Sequence, residues 1–531
     1  MINPKPRPCE AATIASRPAN AICPAPDRKW VLAAAVIAST MSIVDESVVN
    51  IALPRIQTEL LASLPTMQWV ENAYTLCMSA LLLIGGAAAD QFGRRRVFLI
   101  GIAIFAAASL ACGLAGSAEQ LIGARVIQGM GAGLLVPSSL AIIGASFSEE
   151  ERGVAIGIWS ACSAIAAGLG PLLGGSLVDH GSWRAIFLIN PALALPAIWI
   201  TLRHLPESRD PHAAGGLDWT GAVLTFAGLG SVVYALIAAA TLGWRNPLVL
   251  GALAAGVVLL TLFVLVERRL KAPMMPFELF RSRGFSGVNL LTLLLYAALG
   301  GAFFFLPFVL IQAHGFSATA AGAVFLPFTL TLGLLSRWSG GLADRYGARW
   351  PLVLGPAIAA VGFGLLAFLD QESQRWFVLL PLTVQGLGLA ITVTPLTTAV
   401  LNCAPPERSG VASGINNAVA SVASLLAVAV FGAIAIGVFD RSIDSHLASE
   451  TPSADVRQVV ESVRGKLLVP PLPADLDASS RKLATSILAD AYDNALHELA
   501  IIAAALALAS SVVGFGSFAG KPLPNPSAER V

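Results

Sequence analysis

The sequence of 531 residues is poor in charge, because only 12% of its residues are Asp, Glu, Lys or Arg. A soluble globular domain carries about 25%, so half of the usual water-facing charge is missing. With 33 Lys and Arg against 32 Asp and Glu, the net charge is +1, which provides no basic surface for phosphate backbones. These shortages exclude a soluble enzyme and argue against nucleic acid as a partner.

Cysteine and the usual nucleotide and metal motifs are scarce as well. The six cysteines show no C-x-x-C spacing, so we interpret them as small apolar side chains rather than disulfides or metal ligands. No G-x-x-x-x-G-K-[ST] motif occurs, which argues against ATP. His497-Glu498 begins like the zinc motif H-E-x-x-H, but Ile501 occupies its fifth position. The sequence therefore predicts no metal site, no catalytic residues and no bound cofactor.

The abundant residues are apolar ones, which make up 56% of the chain and give a mean hydropathy of +0.75. They fall in blocks of about 20 residues, the length that crosses about 30 Å of hydrocarbon. We predict an all-α polytopic membrane protein with fourteen transmembrane helices. The predicted spans lie near 30–53, 69–89, 97–116, 120–146, 153–178, 184–202, 218–240, 247–266, 286–312, 318–337, 351–370, 376–400, 410–438 and 494–516.

Lys and Arg are distributed unevenly between the loops that connect these spans. With the N-terminus inside, 22 of them fall on the cytoplasmic side and only 4 in the short external loops. This bias predicts that both termini are cytoplasmic. Residues 1–29 are rich in proline and are predicted to form a disordered cytoplasmic tail, and 517–531 a second tail. An extracytoplasmic loop is predicted near 439–493.

Three motifs occur twice in the chain, in the same order and separated by 254 to 257 residues. Three repeats at nearly one spacing are not produced by chance, so we predict two homologous six-helix bundles with two inserted helices, a 6+2+6 arrangement. Parallel repeats of this kind are typical of alternating-access transporters. The repeated pairs are 86–95 and 340–349, 128–131 and 385–388, and 151–157 and 407–414.

The repeat also predicts the domain boundaries. Residues 30–205 are predicted to form the N-terminal six-helix bundle, and 285–516 the C-terminal one. The linker between them, 206–284, holds the two extra spans near 218–240 and 247–266. Substrate would be held between the two bundles.

Four motifs carry a resemblance to a known family. Residues 45–54, 86–96 and 125–131, together with Gly157 and 170–175, resemble motifs of the Major Facilitator Superfamily. The chain is similar to its fourteen-helix drug:proton antiporter branch, the EmrB/QacA type. This resemblance implies a multi-pass transporter in a bacterial plasma (cell inner) membrane, driven by the proton gradient without a cofactor. Its partners would be the lipid bilayer, a small-molecule substrate and protons; a periplasmic adaptor protein is left open.

The resemblance also implies roles for two sets of residues. The loop 2–3 signature would latch the cytoplasmic side shut, although simple anchoring by positive charge would also explain its arginines. The fifth helix would limit uncoupled leak, although ordinary close packing would also explain its glycines. The latch residues are Gly86, Asp90, Gly93, Arg94, Arg95 and Arg96, with Gly340, Asp344, Gly347 and Arg349 in the repeat; those of the antiporter helix are Gly157, Gly170, Pro171, Gly174 and Gly175.

Two adjacent carboxylates and one guanidinium lie within apolar spans, where charge is costly. Arg125 and Gln128 share one face of span 4, whereas the second bundle has Leu382 at the position of Arg125. The resemblance nominates Asp45 as the proton-coupling acid, but the helical wheel places Glu46 on the polar stripe with two serines and Asn50. We predict that Asp45, Glu46, Arg125 and Gln128 perform proton coupling, with Asp45 as the obligatory acid and Glu46 setting cation preference. A purely structural Asp45–Arg125 ion pair is the alternative.

The function predicted from the sequence is proton-coupled efflux of hydrophobic or amphipathic drug-like compounds, with cationic compounds as a candidate subclass. A proton-coupled uptake symporter of the same fold is one alternative. A membrane-embedded enzyme is another, but it would need a compact reactive site, and none stands out beyond Asp45-Glu46. A transporter-like sensor is the third. The substrate itself cannot be identified from the sequence, because residues from many helices would line the cavity.

Overall fold

The computed structural model describes residues 25–209, 217–270, 273, 275–369, 376–405, 408–449, 452–467 and 476–517. The side chains at 25–26, 83, 149–150, 336–337, 340–346 and 409 are not described. Within the described residues all regular structure is helical.

The helices of the first half are α1 (Ala25–Glu59), α2 (Leu64–Phe92), α3 (Arg94–Gly113), α4 (Ala118–Ser146), α5 (Glu149–His180), α6 (Arg184–His204), α7 (Trp219–Leu242) and α8 (Pro247–Glu267). A short 3₁₀ turn, Phe277–Arg281, leads into the second half. Its helices are α9 (Arg283–Phe308, continued by a π-turn over Val309–Ala313), α10 (Ala318–Ala323), α11 (Leu326–Tyr346), α12 (Arg349–Leu366), α13 (Leu379–Asn402), α14 (Ser409–Ser449), α15 (Ala454–Ser462) and α16 (Ala478–Ser517).

The number of membrane helices agrees with the prediction. In the described part of the chain, thirteen helical spans are long and apolar enough to cross a membrane, and α2, which bends by 49° after Leu82, makes a fourteenth. Helices α10 and α11 contribute to one of these spans and are separated by a break at Val324 and Phe325. The predicted all-α membrane fold is therefore confirmed. The orientation of the termini stays a prediction, so the two ends are called the predicted cytoplasmic and external ends.

Many of these helices begin where the sequence offers a short polar side chain. Its oxygen accepts a backbone N–H of the first turn, which satisfies a donor that the helix itself leaves free. This placement fixes where each apolar run starts. The capping residues are Ser63, Ser117, Ser148, Asp218, Asn246, Ser282, Ser317 and Ser453.

The helices pack as two groups. In the first, α4 packs against α2 and α3, and α1 packs against α5 and α6. In the second, α12 packs against α13 and α16, and α9 packs against α14 and α16. The inserted helices α7 and α8 pack against each other, and α7 also lies on α2 and α14 through apolar contacts of Leu76, Val233 and Leu425. The insertion therefore covers a seam between the two groups.

Two predicted boundaries differ from the structure. Helix α1 begins at Ala25, so residues 25–29 belong to a helix rather than to the predicted tail. Helix α14 continues to Ser449 and α16 begins at Ala478, well inside the predicted loop 439–493. These extensions are helical because their buried residues, among them Phe439, Ile443 and Tyr492, pack together beyond the apolar runs. Residues 1–24 and 518–531 lie outside the described residues.

Candidate functional site

Asp45, near the middle of α1, lies at the centre of a buried polar network. Its Oδ2 pairs with the Arg125 guanidinium on α4. Its Oδ1 accepts hydrogen bonds from Gln128 Nε2 at 2.7 Å and Asn190 Nδ2 at 2.9 Å. The hydroxyl of Ser109 on α3 accepts from the same two amides at 3.2 and 2.9 Å. Side chains from four helices therefore form one network around a carboxylate that is 1% exposed.

Arg125 is held against α2 as well as against α1. Its Nε donates to the carbonyl of Val70 at 3.1 Å, and its guanidinium lies 4.1 Å from the ring centroid of Tyr74. The neighbouring Gly129 makes this approach possible, because a Cβ there would lie 2.4 Å from the carbonyl oxygen of Tyr74. The face of α4 that the sequence pattern predicted is thus a close helix contact that carries a buried charge.

The two carboxylates of α1 occupy different surroundings. Asp45 is fully engaged in the network, whereas Glu46 is half-buried and has no hydrogen bond to any described residue. The serines of the predicted polar stripe do not face a cavity: Ser39 bonds to Ser139 at 2.7 Å, and Ser42 to the Tyr74 hydroxyl at 2.7 Å. The structure therefore brings Asp45, Arg125 and Gln128 together and leaves Glu46 beside them; their predicted roles in proton coupling are untested.

Sequence reasoning missed three members of this network. Ser109 and Asn190 are each an uncharged polar residue within an apolar span, so neither gave a signal of its own. Glu71 did give one. It is an acid within span 2, it is 6% exposed, and its Oε2 lies 3.8 Å from Arg125 NH2.

The loop 2–3 signature is fixed within its own bundle. Asp90 accepts from Arg94 Nε at 2.9 Å and NH2 at 2.7 Å. Gly93 has a φ of +113°, a backbone conformation that favours glycine, and the Glu207 carboxylate lies 2.4 Å from where a Cβ would be. Glu207 accepts from the backbone of Arg95 at 3.2 Å and lies 3.5 Å from Arg96 Nε. Among the described residues, Asp90 makes no contact with the other bundle.

The remaining latch residues are Gly86 in the first half and the four residues of the repeat. A Cβ on Gly86 would meet only Pro137, at 3.8 Å. In the repeat, Gly340 and the side chain of Asp344 fall in the range 340–346, whose side chains are not described. Gly347 has a φ of +74° and ends α11, and the Arg349 guanidinium lies 4.4 Å from the ring centroid of Phe515. The repeated glycine therefore serves the same turn, while the role of the latch is untested.

The small residues of α5 face two different neighbours. A Cβ on Gly170 would lie 1.9 Å from Ser47 Oγ, and one on Gly174 would lie 2.8 Å from Val48, both on α1. A Cβ on Gly175 would lie 2.2 Å from the carbonyl oxygen of Ala318 on α10. Helix α5 is thus wedged between its own bundle and the other one.

Pro171 and Gly157 complete the picture of this helix. The carbonyl oxygen of Pro171 would lie 2.1 Å from a Cβ on Gly322, so backbone meets backbone across the interface. Toward the opposite end of α5, a Cβ on Gly157 would meet nothing within 4 Å. The close backbone contacts that the described glycines of α5 make with the other bundle therefore lie in the predicted external half of this helix.

A carboxylate closes this contact. Asp179, near the end of α5, accepts from the backbone N–H of Ala318 at 3.0 Å and of Thr319 at 2.7 Å. These are the first two residues of α10, so an acid of one bundle caps a helix of the other. A crevice of about 300 Å³ lies beside the cap and is lined by residues of both bundles, including Arg55 and Phe316.

The segment before residue 468 adds a second connection at the same end. Gln57 of α1 donates to the carbonyls of Lys466 at 3.2 Å and Leu467 at 3.0 Å, and the Leu64 N–H donates to Lys466 at 2.8 Å. Gln312 donates to Gln57 at 2.8 Å. Chain from beyond α15 therefore lies across the predicted external ends of both bundles.

Comparison with known proteins identifies the family of this fold. The family model of the Major Facilitator Superfamily matches residues 35–219 and 218–428. The chain belongs to the Major Facilitator Superfamily. Being a member, it is a multi-pass transporter of a bacterial cell membrane and not an enzyme. The structure also superposes, with a TM-score of 0.66 and 17% identity, on a bacterial homolog of the human lysosomal transporter Spinster in an inward-facing, unoccupied conformation; the match covers 93% of this chain and 99% of that one.

Several members of the superfamily are similar in sequence over most of their length. The multidrug resistance protein Stp of Mycobacterium tuberculosis is 34% identical, over 80% of this chain and 79% of its own. The tetracenomycin C resistance and export protein of Streptomyces glaucescens is 35% identical, over 80% and 79%. The multidrug efflux pump LfrA of Mycolicibacterium smegmatis is 31% identical, over 92% and 96%.

Proposed function

We propose that this superfamily member exports hydrophobic or amphipathic drug-like compounds, cationic ones among them, in exchange for protons. Its relatives named as resistance and efflux proteins support export. The buried network around Asp45 supports proton coupling, and it is the observation on which this part of the proposal rests.

Asp45 has the chemistry that a proton carrier needs. It is 1% exposed, and its charge is held by one guanidinium and two amides. Breaking such a buried pair costs about 3–5 kcal/mol. Protonation of Asp45 would therefore loosen α1 from α4 and α6, and so link proton uptake to the packing of the N-terminal bundle.

The proton gradient is sufficient to drive export. One charge that moves through 100 mV supplies about 2.3 kcal/mol, which corresponds to roughly a fifty-fold concentration gradient. The two bundles would rock about the substrate. The Asp179 cap would close the predicted external end in one state, and the loop around Asp90 the predicted cytoplasmic end in the other. Both termini would lie in the cytoplasm, in keeping with the distribution of Lys and Arg.

The deciding experiment is substrate-driven proton movement in proteoliposomes. Addition of a transported compound should release protons through the wild-type protein and should not through Asp45→Asn, reconstituted at equal density. Glu46→Gln should still move protons with an altered preference between cationic and neutral compounds. Proton movement by Asp45→Asn together with its loss in Glu46→Gln would make Glu46 the coupling acid. Co-transport of substrate and protons in one direction would identify a symporter.

A further inference from the structure

A third carboxylate approaches Arg125 from α2. Glu71 Oε2 on α2 lies 3.8 Å from Arg125 NH2, and neither atom has a hydrogen-bond partner among the described residues. Both side chains are buried, with exposures of 8% and 0%. A hydrogen bond between such groups needs about 2.9 Å, so the two atoms stand about 1 Å too far apart for one.

The surroundings of Arg125 contain more acidic than basic side chains. The carboxylates near the guanidinium are Asp45 and Glu46 on α1 and Glu71 on α2; Tyr74 and Cys112 are the other titratable side chains close to it. In this structure Asp45 carries the direct pair. Glu71 is therefore a second carboxylate within reach that the arrangement described above does not use.

The guanidinium is already placed to change partners. Its Nε donates a hydrogen bond to the carbonyl of Val70, the residue before Glu71, and the guanidinium lies over the ring of Tyr74 on the same helix. A shift of about 1 Å toward α2 would bring NH2 into hydrogen-bond distance of Glu71 without breaking these contacts. A buried guanidinium that loses its counter-ion is costly, so loss of charge on Asp45 would favour this shift.

We infer that Glu71 is the alternate counter-ion of Arg125, which takes over the guanidinium when Asp45 is protonated. This rests on the proposed role of Asp45 in proton coupling. Glu71 is a positioning residue in this scheme: it keeps Arg125 neutralised in the membrane interior, and the proton itself is bound by Asp45. The pairing of Arg125 with Asp45 or with Glu71 would then distinguish the deprotonated from the protonated transporter.

The test uses Asp45→Asn as a fixed mimic of protonated Asp45. The full-length chain with a fluorescent tag is extracted in detergent, and folded protein is measured by size-exclusion chromatography. Asp45→Asn and Glu71→Gln alone should each retain at least half of the wild-type yield, since one carboxylate still faces Arg125. The double variant should yield at least fivefold less. Adding Arg125→Met to the double variant should restore the yield to within twofold of the singles, because the buried guanidinium is then removed together with its two counter-ions.

Matched controls separate this inference from a packing role and from the proposed function. Glu59→Gln removes a carboxylate that pairs with Arg184 at 2.5 Å near the end of α1, and its effect should simply multiply with that of Asp45→Asn. Independent effects of Asp45→Asn and Glu71→Gln, or failure of Arg125→Met to rescue the double variant, would overturn the inference. If Asp45→Asn still moves protons in proteoliposomes while the rescue holds, the counter-ion pair stands and the proton assignment fails.

Discussion

The two ends of the molecule are closed by different kinds of contact. At the predicted external end the bundles touch each other: Asp179 caps α10, Gly175 lies against Ala318, and Gln57 holds Leu467. At the predicted cytoplasmic end, the described contacts of Asp90 and Glu207 stay within one half of the chain. The hydrogen bonds between described residues of the two bundles all lie toward the external end.

The contacts between the bundles at the predicted external end involve more than one pair of helices. Gln68 of α2 donates to the Val428 carbonyl of α14 at 2.5 Å, so a second helix pair connects the two bundles. The closure at the external end thus combines two kinds of contact. Glycines of α5 lie directly against the backbone of α10, and a few hydrogen bonds, which can be broken and remade, join the bundles. The polar side chains of the loop around Asp90 are instead paired locally, with Arg94 and with the segment at Glu207.

The largest effect is expected from Gly175→Leu, which would break the external closure. A leucine side chain cannot fit 2.2 Å from the carbonyl oxygen of Ala318, and overpacking costs about 1–3 kcal/mol, a shift of about 5- to 150-fold. Transport should fall to less than a tenth of wild type at equal abundance. Gly153→Leu, placed where a Cβ meets nothing within 4 Å, is the control and should transport normally. Wild-type transport by Gly175→Leu would show that this contact is not needed.

A smaller effect is expected from Asp179→Asn, which would weaken the same closure without a steric clash. Hydrogen bonds to a charged group contribute about 1.5–3 kcal/mol, and an amide keeps only its oxygen as acceptor. The population open at the external end should rise about tenfold. It is measured as labelling of a cysteine placed at Thr58, which lines the crevice, by an impermeant maleimide. The control is Asp477→Asn, which weakens a similar cap at the start of α16, where Asp477 accepts from the backbone N–H groups of Ser479 and Ser480. Equal labelling of both variants would contradict the prediction.

Asp90→Asn should sharpen the contrast from the other end. Because the ion pair of Asp90 with Arg94 lies within one bundle, the externally closed state should keep its thermal stability. Transport should nevertheless fall several-fold, since the opposite state would lack its latch, and insertion into the membrane should be unchanged. Initial transport rates at matched abundance give the measurement. A wild-type rate would leave simple anchoring as the role of this loop.

The smallest effect is expected from Gln57→Ala. It removes the hydrogen bonds of Gln57 with the carbonyls of Lys466 and Leu467 and with the Gln312 amide. These are bonds between neutral groups, which contribute less than bonds to a charged group, and the Leu64 N–H still holds Lys466. Labelling at Thr58 should rise about two- to fivefold. Thr241→Ala, which removes a local hydrogen bond of α7, should leave the labelling unchanged. No change in Gln57→Ala would mean that this segment does not restrain the external end.

Much of the fold follows from the sequence because membrane helices are long and uniformly apolar. The helical extension of α14 was missed because its residues beyond 438 alternate with polar ones. Phe439, Ile443 and Leu447 do recur at four-residue spacing, however, which was a usable signal of an amphipathic helix. Residues 25–29 at the start of α1 were missed for a similar reason, because the charged side chains of this first turn lower the hydropathy.

The site was predictable only in part. Asp45 and Arg125 stand out because each is charged within an apolar span, and an opposite pair in one bundle has a reason to meet. The Asp179 cap and the Gln57 contacts could not be predicted, because their partners lie 139 and 410 residues away and follow from the angle between the bundles. Glu71 was as visible in the sequence as Arg125, and only the absence of a motif around it caused it to be passed over.

The buried pair of Asp45 and Arg125 also constrains how the protein is made. The two residues are 80 positions apart, so at about 5–20 residues per second Asp45 is synthesised about 4–16 s before Arg125. During that interval each ionised carboxylate in the bilayer centre would cost about 2.5–3.5 kcal/mol. Helix α1 must therefore stay beside the insertion machinery, or enter lipid with its acids protonated, until α4 arrives. The arrival of α4, rather than the completion of α1, therefore decides when Asp45 can be buried as an ion.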